Sequence, residues 1–123
     1  MEITFGAFIS EKRLAKNISL RAFSNMIDIS PEYLSKLEND LRAAPKDRTL
    51  EKIAEKLVLN VDDREVFYDL AAKSKSYLSL ASDLVKYVNE NEIVHKTLRL
   101  AKRYELTNED WKEIFEYIAK THL

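Results

Sequence analysis

Between Ser19 and Asp40 the chain reads SLRAFSNMIDISPEYLSKLEND, two short helical patterns separated by only a three-residue turn. Two helices joined so tightly restrict the fold more than any other stretch, and this is how a helix is offered to a DNA groove. Ser19 is a good N-cap for a first helix that turns Leu20, Phe23 and Ile27 inward. Asp28 falls where the turn demands a left-handed residue, which Asp adopts more readily than most. Ser30 then caps a second helix, and Pro31 stands at its first position, where a missing N–H costs nothing.

At 3.6 residues per turn the second helix gathers Leu34, Leu37 and Leu41 on one side. Glu32, Ser35, Lys36 and Asn39 lie on the other, with Tyr33 on the flank. Four side chains able to hydrogen-bond base edges or phosphates share that polar stripe, which is the chemistry of major-groove reading. A solvated face of an ordinary amphipathic helix has the same pattern, so the stripe alone leaves both readings open.

The order of residues goes further, because this stretch resembles the helix-turn-helix of the lambda-repressor-like, or Xre, family of bacterial and phage regulators. Such sequences run Ser-Leu-Arg-x-Leu-Ala, a Gly-Ile-Ser-Pro turn, Tyr-Leu-Ser-Lys-Ile-Glu, a basic loop and a Leu-x-x-Ile-Ala helix. Here the last two parts are Arg42 to Arg48 and Leu50-Glu51-Lys52-Ile53-Ala54. Ser24 replaces a small Ala and Asp28 replaces a Gly, both tolerable. The resemblance implies an all-α fold with a five-helix DNA-binding domain over residues 1–74, and helical patterns beyond it give a three-helix segment over 75–123. With the resemblance, the polar stripe is expected to give base contacts from Glu32, Ser35, Lys36 and Asn39. Phosphate contacts are expected from Ser19, Arg21, Tyr33, Arg42, Lys46 and Arg48.

Phe5, Ile9 and Arg13 fall at i, i+4 and i+8, placing a cation on a stripe that faces the core. Arg13 therefore needs a partner, and Glu38, at the edge of the buried side of the second helix, is the expected one. In the family an Arg on the first helix commonly pairs with such a Glu.

One Gly and two Pro among 123 residues favour long helices over a sheet of hairpins. Without cysteine the chain forms no disulfide or thiolate metal site. The start, MEITFGAFISEK, has no secretory pattern, and no run of about eighteen apolar residues exists to span a membrane, so a cytoplasmic location is expected. A net charge of −1 is unusual for a DNA-binding chain. Residues 1–58 carry ten Lys or Arg against nine Asp or Glu, and 59–123 carry ten against twelve. The cations nonetheless gather around the second helix, so local phosphate contacts with a shallow salt dependence are expected.

Further on, Thr49 is expected to cap a fourth helix with Leu50, Ile53, Ala54 and Leu57 inward, and Asp62 or Asp63 to open a fifth. The polar run Lys73-Ser74-Lys75-Ser76 reads as a connector. Three more patterns begin at Ser82 or Asp83, at Asn91 and at Thr107, where Thr107-x-x-Asp110 resembles a capping box. In the last, Trp111, Ile114, Phe115 and Ile118 form an apolar stripe too broad for some forty residues to bury alone. Their expected role is to hold a homodimer or a protein partner, the alternative being completion of the monomer core.

Catalysis has no constellation behind it. Glu92-x-x-His95 is one Glu-x-x-His element where a di-iron bundle needs two and further carboxylates. His122 sits at a frayed end, and Gly6 alone makes no phosphate loop. No cofactor or metal is expected. Two readings remain: a dimeric repressor with double-stranded DNA as its partner, and an antitoxin or adaptor whose tail captures another protein while DNA binding serves autoregulation.

Overall fold

The computed structural model describes residues 3–75 and 80–123 and resolves them into eight helices and no strand. Contacts divide the chain into two compact units, 1–85 and 86–123. The division falls later than the polar connector at residue 74, because Ala81 is buried with the core of the first unit. Ser76 of that connector lies outside the described residues.

The first unit contains α1 (Phe5–Ala15), α2 (Leu20–Met26), α3 (Pro31–Glu38), α4 (Asp47–Lys56) and α5 (Val61–Lys73). Its core draws on all five, with Ile9, Phe23, Leu34, Ile53 and Phe67 wholly enclosed. Phe67 is its centre, stacked against Phe5 at 5.4 Å, Phe8 at 6.1 Å and edge-on to Tyr68 at 5.3 Å. Such aromatic clusters contribute beyond their buried area, about 0.5–1.5 kcal/mol per pair.

Helix starts follow the capping chemistry in most places. Ser19 and Ser30 accept from Ala22 N and Tyr33 N, both at 3.1 Å. The fourth helix differs from expectation: it opens at Asp47, with Lys46 at the cap and Thr49 already inside the first turn. Pro45 is buried and its ring drives the preceding residue out of the helical region, so the helix starts as soon as the chain has passed it. The fifth opens at Val61, capped by Asn60, whose Oδ1 accepts from Asp63 N at 2.8 Å. Asp62 and Asp63 instead occupy the first turn, where carboxylates favour the helix dipole.

Helix ends repeat one device without using glycine. Asn17, Asp28, Asp40, Val58 and Glu105 all take a left-handed conformation, with φ between 50° and 59°. In each case the next residue's N–H returns to a carbonyl one turn earlier, for example Ile29 N to Ser24 O at 3.0 Å. The following apolar residue is turned inward at Ile18, Ile29 and Leu59. Leu41 is the exception: α3 ends at Glu38, Asp40 redirects the chain, and Leu41 stands 71% exposed rather than on the buried side with Leu34 and Leu37.

The second unit holds α7 (Glu92–Arg103) and α8 (Asn108–His122), preceded by α6 (Ser82–Glu90), which begins in the first unit. Thr107 and Asp110 form a reciprocal capping box that starts α8. Ala101 is the one buried apolar side chain of this unit. Trp111 and Ile114 are over a third exposed, Phe115 70% and Ile118 54%. No helix among the described residues is long and apolar enough to cross a membrane.

Candidate nucleic-acid interface

The helix α3 is short and strongly two-sided. Leu34 and Leu37 are fully buried, and Glu32, Lys36 and Asn39 are exposed, with Ser35 and Tyr33 half-buried beside them. Among the described residues no partner engages Glu32 or Lys36, so both heads are available to a ligand. Asn39 lies just past the end of the helix as its C-cap, and its Nδ2 donates to Ser35 O at 2.8 Å. That bond leaves its Oδ1 to accept and occupies part of its donor capacity. Arg21, Arg42, Lys46 and Arg48 are exposed, as is Ser19, whose Oγ already accepts from the backbone and keeps its hydroxyl hydrogen to donate.

Two clamps hold α3 in place. Arg13, on α1, grips Glu38 with both arms of its guanidinium, Nε to Oε2 at 2.8 Å and Nη2 to Oε1 at 2.9 Å. Its Nη1 donates to Ile18 O at 2.8 Å. Both side chains are at most 10% exposed, and hydrogen bonding to Glu38 raises the Arg13 pKa further above its ordinary value. A cation on the core-facing stripe is thereby neutralised in place, with its donors turned to fixed acceptors.

The second clamp involves residues that sequence reasoning passed over. Asp40 accepts from Thr4 Oγ1 at 2.6 Å and from Gly6 N at 3.0 Å, so the turn after α3 caps the start of α1. Gly6 is required there. A Cβ would lie 2.6 Å from the Glu38 carbonyl oxygen, closer still to that of Leu37, and 2.8 Å from Asp40 Oδ1. The available signal was a lone glycine in the first turn of a helix otherwise made of larger residues, a pattern that marks close backbone approach.

The turn between α2 and α3 is held from a third side. Asp28 accepts from Lys52 Nζ of α4 at 2.9 Å, which lowers the Asp28 pKa. Lys12 similarly ties α1 to α5 through Asp63 at 2.9 Å. Glu92, by contrast, engages Lys96, one turn along the exposed face of α7.

The geometry is that of two helices joined by a tight turn, with a buried ion pair behind them and an exposed polar face in front. Residues 9–63 match the helix-turn-helix family. The match lies wholly within the first unit, which has the helix-turn-helix pattern over those residues. Such a match supports a DNA-binding transcriptional regulator. The solved SinR protein/SinI protein complex contains a chain whose fold is alike over 96% of this chain and 97% of that one. The TM-score is 0.50 and the identity 19%, so this likeness concerns the fold alone. No curated protein matches the sequence. Within the matched residues α2 and α3 are the paired helices, joined by the short turn around Asp28.

Proposed function

We propose that this protein is a dimeric repressor that occupies an inverted-repeat operator, inserting α3 of each copy into successive major grooves. The observation that carries the reading is the outward face of α3, where Glu32 and Lys36 are exposed and unengaged while Leu34 and Leu37 anchor the helix from behind. Lys36 supplies donors to guanine, Glu32 accepts from cytosine, and Ser35 and Asn39 complete the base-facing set. Arg42, Lys46 and Arg48, with Ser19, Arg21 and Tyr33, set the register on phosphates.

Two such helices must stand about 34 Å apart to meet one side of a duplex, which requires a stable dimer. The second unit supports that role, since Phe115 and Ile118 are more than half exposed on α8 beside Trp111 and Ile114. Apolar area of this kind marks an interaction surface. A second reading, in which this surface holds a different protein and DNA binding serves autoregulation, has a parallel in the solved neighbour, a complex of two proteins.

Selection of bound sequences from random duplex DNA tests the proposal. An inverted repeat with half-sites about one helical turn apart is expected. A lone half-site, or no enriched sequence, overturns it. Sedimentation of the full chain with Phe115→Asp should show a weakened dimer; an unchanged dimer removes the Phe115 face of α8 from the interface.

A further inference from the structure

The short helices at the C-terminal end differ in charge. The helix α7 carries Lys96, Arg99, Lys102 and Arg103 against Glu92 alone, whereas α8 carries Glu109, Asp110, Glu113 and Glu116 against two Lys. Pairing like helices across a dimer would set like charges together, and pairing α7 with α8 sets opposite ones together.

At the elbow of the hairpin an open groove is lined by Tyr104, Leu106, Ile114 and Tyr117, with Asp110 and Glu113 on its rim. Tyr104 and Tyr117 are about 70% exposed, so two aromatic rings of this unit stand uncovered. A matching ridge exists on α7. Ile93 and Leu100, 73% and 52% exposed, fall within about 20° of each other around the helix, and Lys96 borders them at about 40–60°. Glu113 borders Tyr117 at about 40° on α8. Lys96 holds Glu92 among the described residues, in an i,i+4 pair at 3.0 Å with both side chains at least 67% exposed. A pair so solvated contributes little and is readily exchanged.

Resting on the dimeric reading above, we infer that this groove seats α7 of a second copy of the chain, with the Ile93–Leu100 ridge against Tyr104 and Tyr117 and Lys96 against Glu113. A two-fold axis makes each contact twice and closes the assembly, so no further copies are recruited. The acidic rim sets the orientation, and the apolar groove supplies the area.

Charge exchange in the full chain, read by sedimentation at about 0.1 M salt, tests the pairing. Both positions are exposed and neither caps a helix, and circular dichroism verifies the fold of each variant. Lys96→Glu and Glu113→Lys should each weaken the dimer about tenfold, since each places like charges together twice. The double variant, and an equimolar mixture of the two single variants, should recover to within about threefold of the parent. Single variants that dimerise like the parent overturn the pairing. Weakened singles without recovery in the double variant also overturn it, while leaving dimerisation standing. A parent chain that is monomeric at every concentration, or that forms a complex only with a different protein, removes the dimeric reading and this pairing with it.

Discussion

Arg13 and Glu38 form a two-pronged ion pair, at 2.8 and 2.9 Å, that joins α1 to the last turn of α3 behind its exposed polar face. The pair works because it is complete: the third guanidinium donor is taken by the Ile18 carbonyl. Glu38→Ala would leave a buried cation without its counter-ion. We expect a loss of about 3–5 kcal/mol by urea denaturation, and a smaller loss when Arg13→Met is added to it. Equal losses in the single and double variants would contradict a coupled pair.

Gly6→Ala is expected to destabilise the first unit by about 2–3 kcal/mol or more, because the new methyl meets backbone carbonyls that have no rotamer to adopt. Asp40→Asn should cost less, since Thr4 Oγ1 and Gly6 N retain one acceptor between them. Thermal unfolding monitored by circular dichroism orders the two; the reverse order would refute the close-approach argument.

Val58 is a β-branched residue at φ 52°, and its side chain is 73% exposed, so no burial compensates the backbone strain. Val58→Asn should raise stability by about 1 kcal/mol, as Asn tolerates the left-handed region. A thermal midpoint that fails to rise would place the penalty elsewhere.

The Asp28–Lys52 pair makes a pH-dependent contribution of known sign. Its hydrogen bond to Lys52 lowers the folded Asp28 pKa below that of the unfolded chain. The stabilisation is therefore fully present above the unfolded value and fades as pH falls through the folded one. Lys52→Met should narrow the stability gap to nothing in acid and show a small loss at neutral pH. A gap independent of pH would mean that the pair is inert.

For DNA, Lys36→Ala should weaken specific binding about tenfold or more and relax preference at one or two base pairs. Arg42→Ala should weaken binding to all duplexes alike and reduce the salt slope by about one. Titrations on operator and random duplex at several salt concentrations separate the two. Equal losses on both duplexes for Lys36→Ala would contradict base reading.

What the sequence determined by itself is local and periodic. Ser19, Asp28, Ser30 and Pro31 specify a helix, a left-handed turn and a second helix through backbone chemistry that acts within a few residues, and the spacing of Leu34 and Leu37 fixes which face is hidden. The need of Arg13 for a counter-ion was legible too, because a cation on an apolar stripe has few outcomes. The later helix starts were displaced by a turn or less, where Pro45 and Asn60 outweighed the neighbouring caps. Leu41 was misplaced because periodicity continues on paper after the backbone has left the helix at Asp40.

Contacts between residues far apart in the chain came from packing. That Asp40 caps α1, that Gly6 lies against the end of α3, and that Lys52 holds the turn depend on how helices cross, which no local pattern encodes. Packing also decided that Ala101 alone is buried in the second unit, leaving its apolar stripe uncovered. Periodicity marks a face as apolar; packing determines whether that face has been spent on the chain itself.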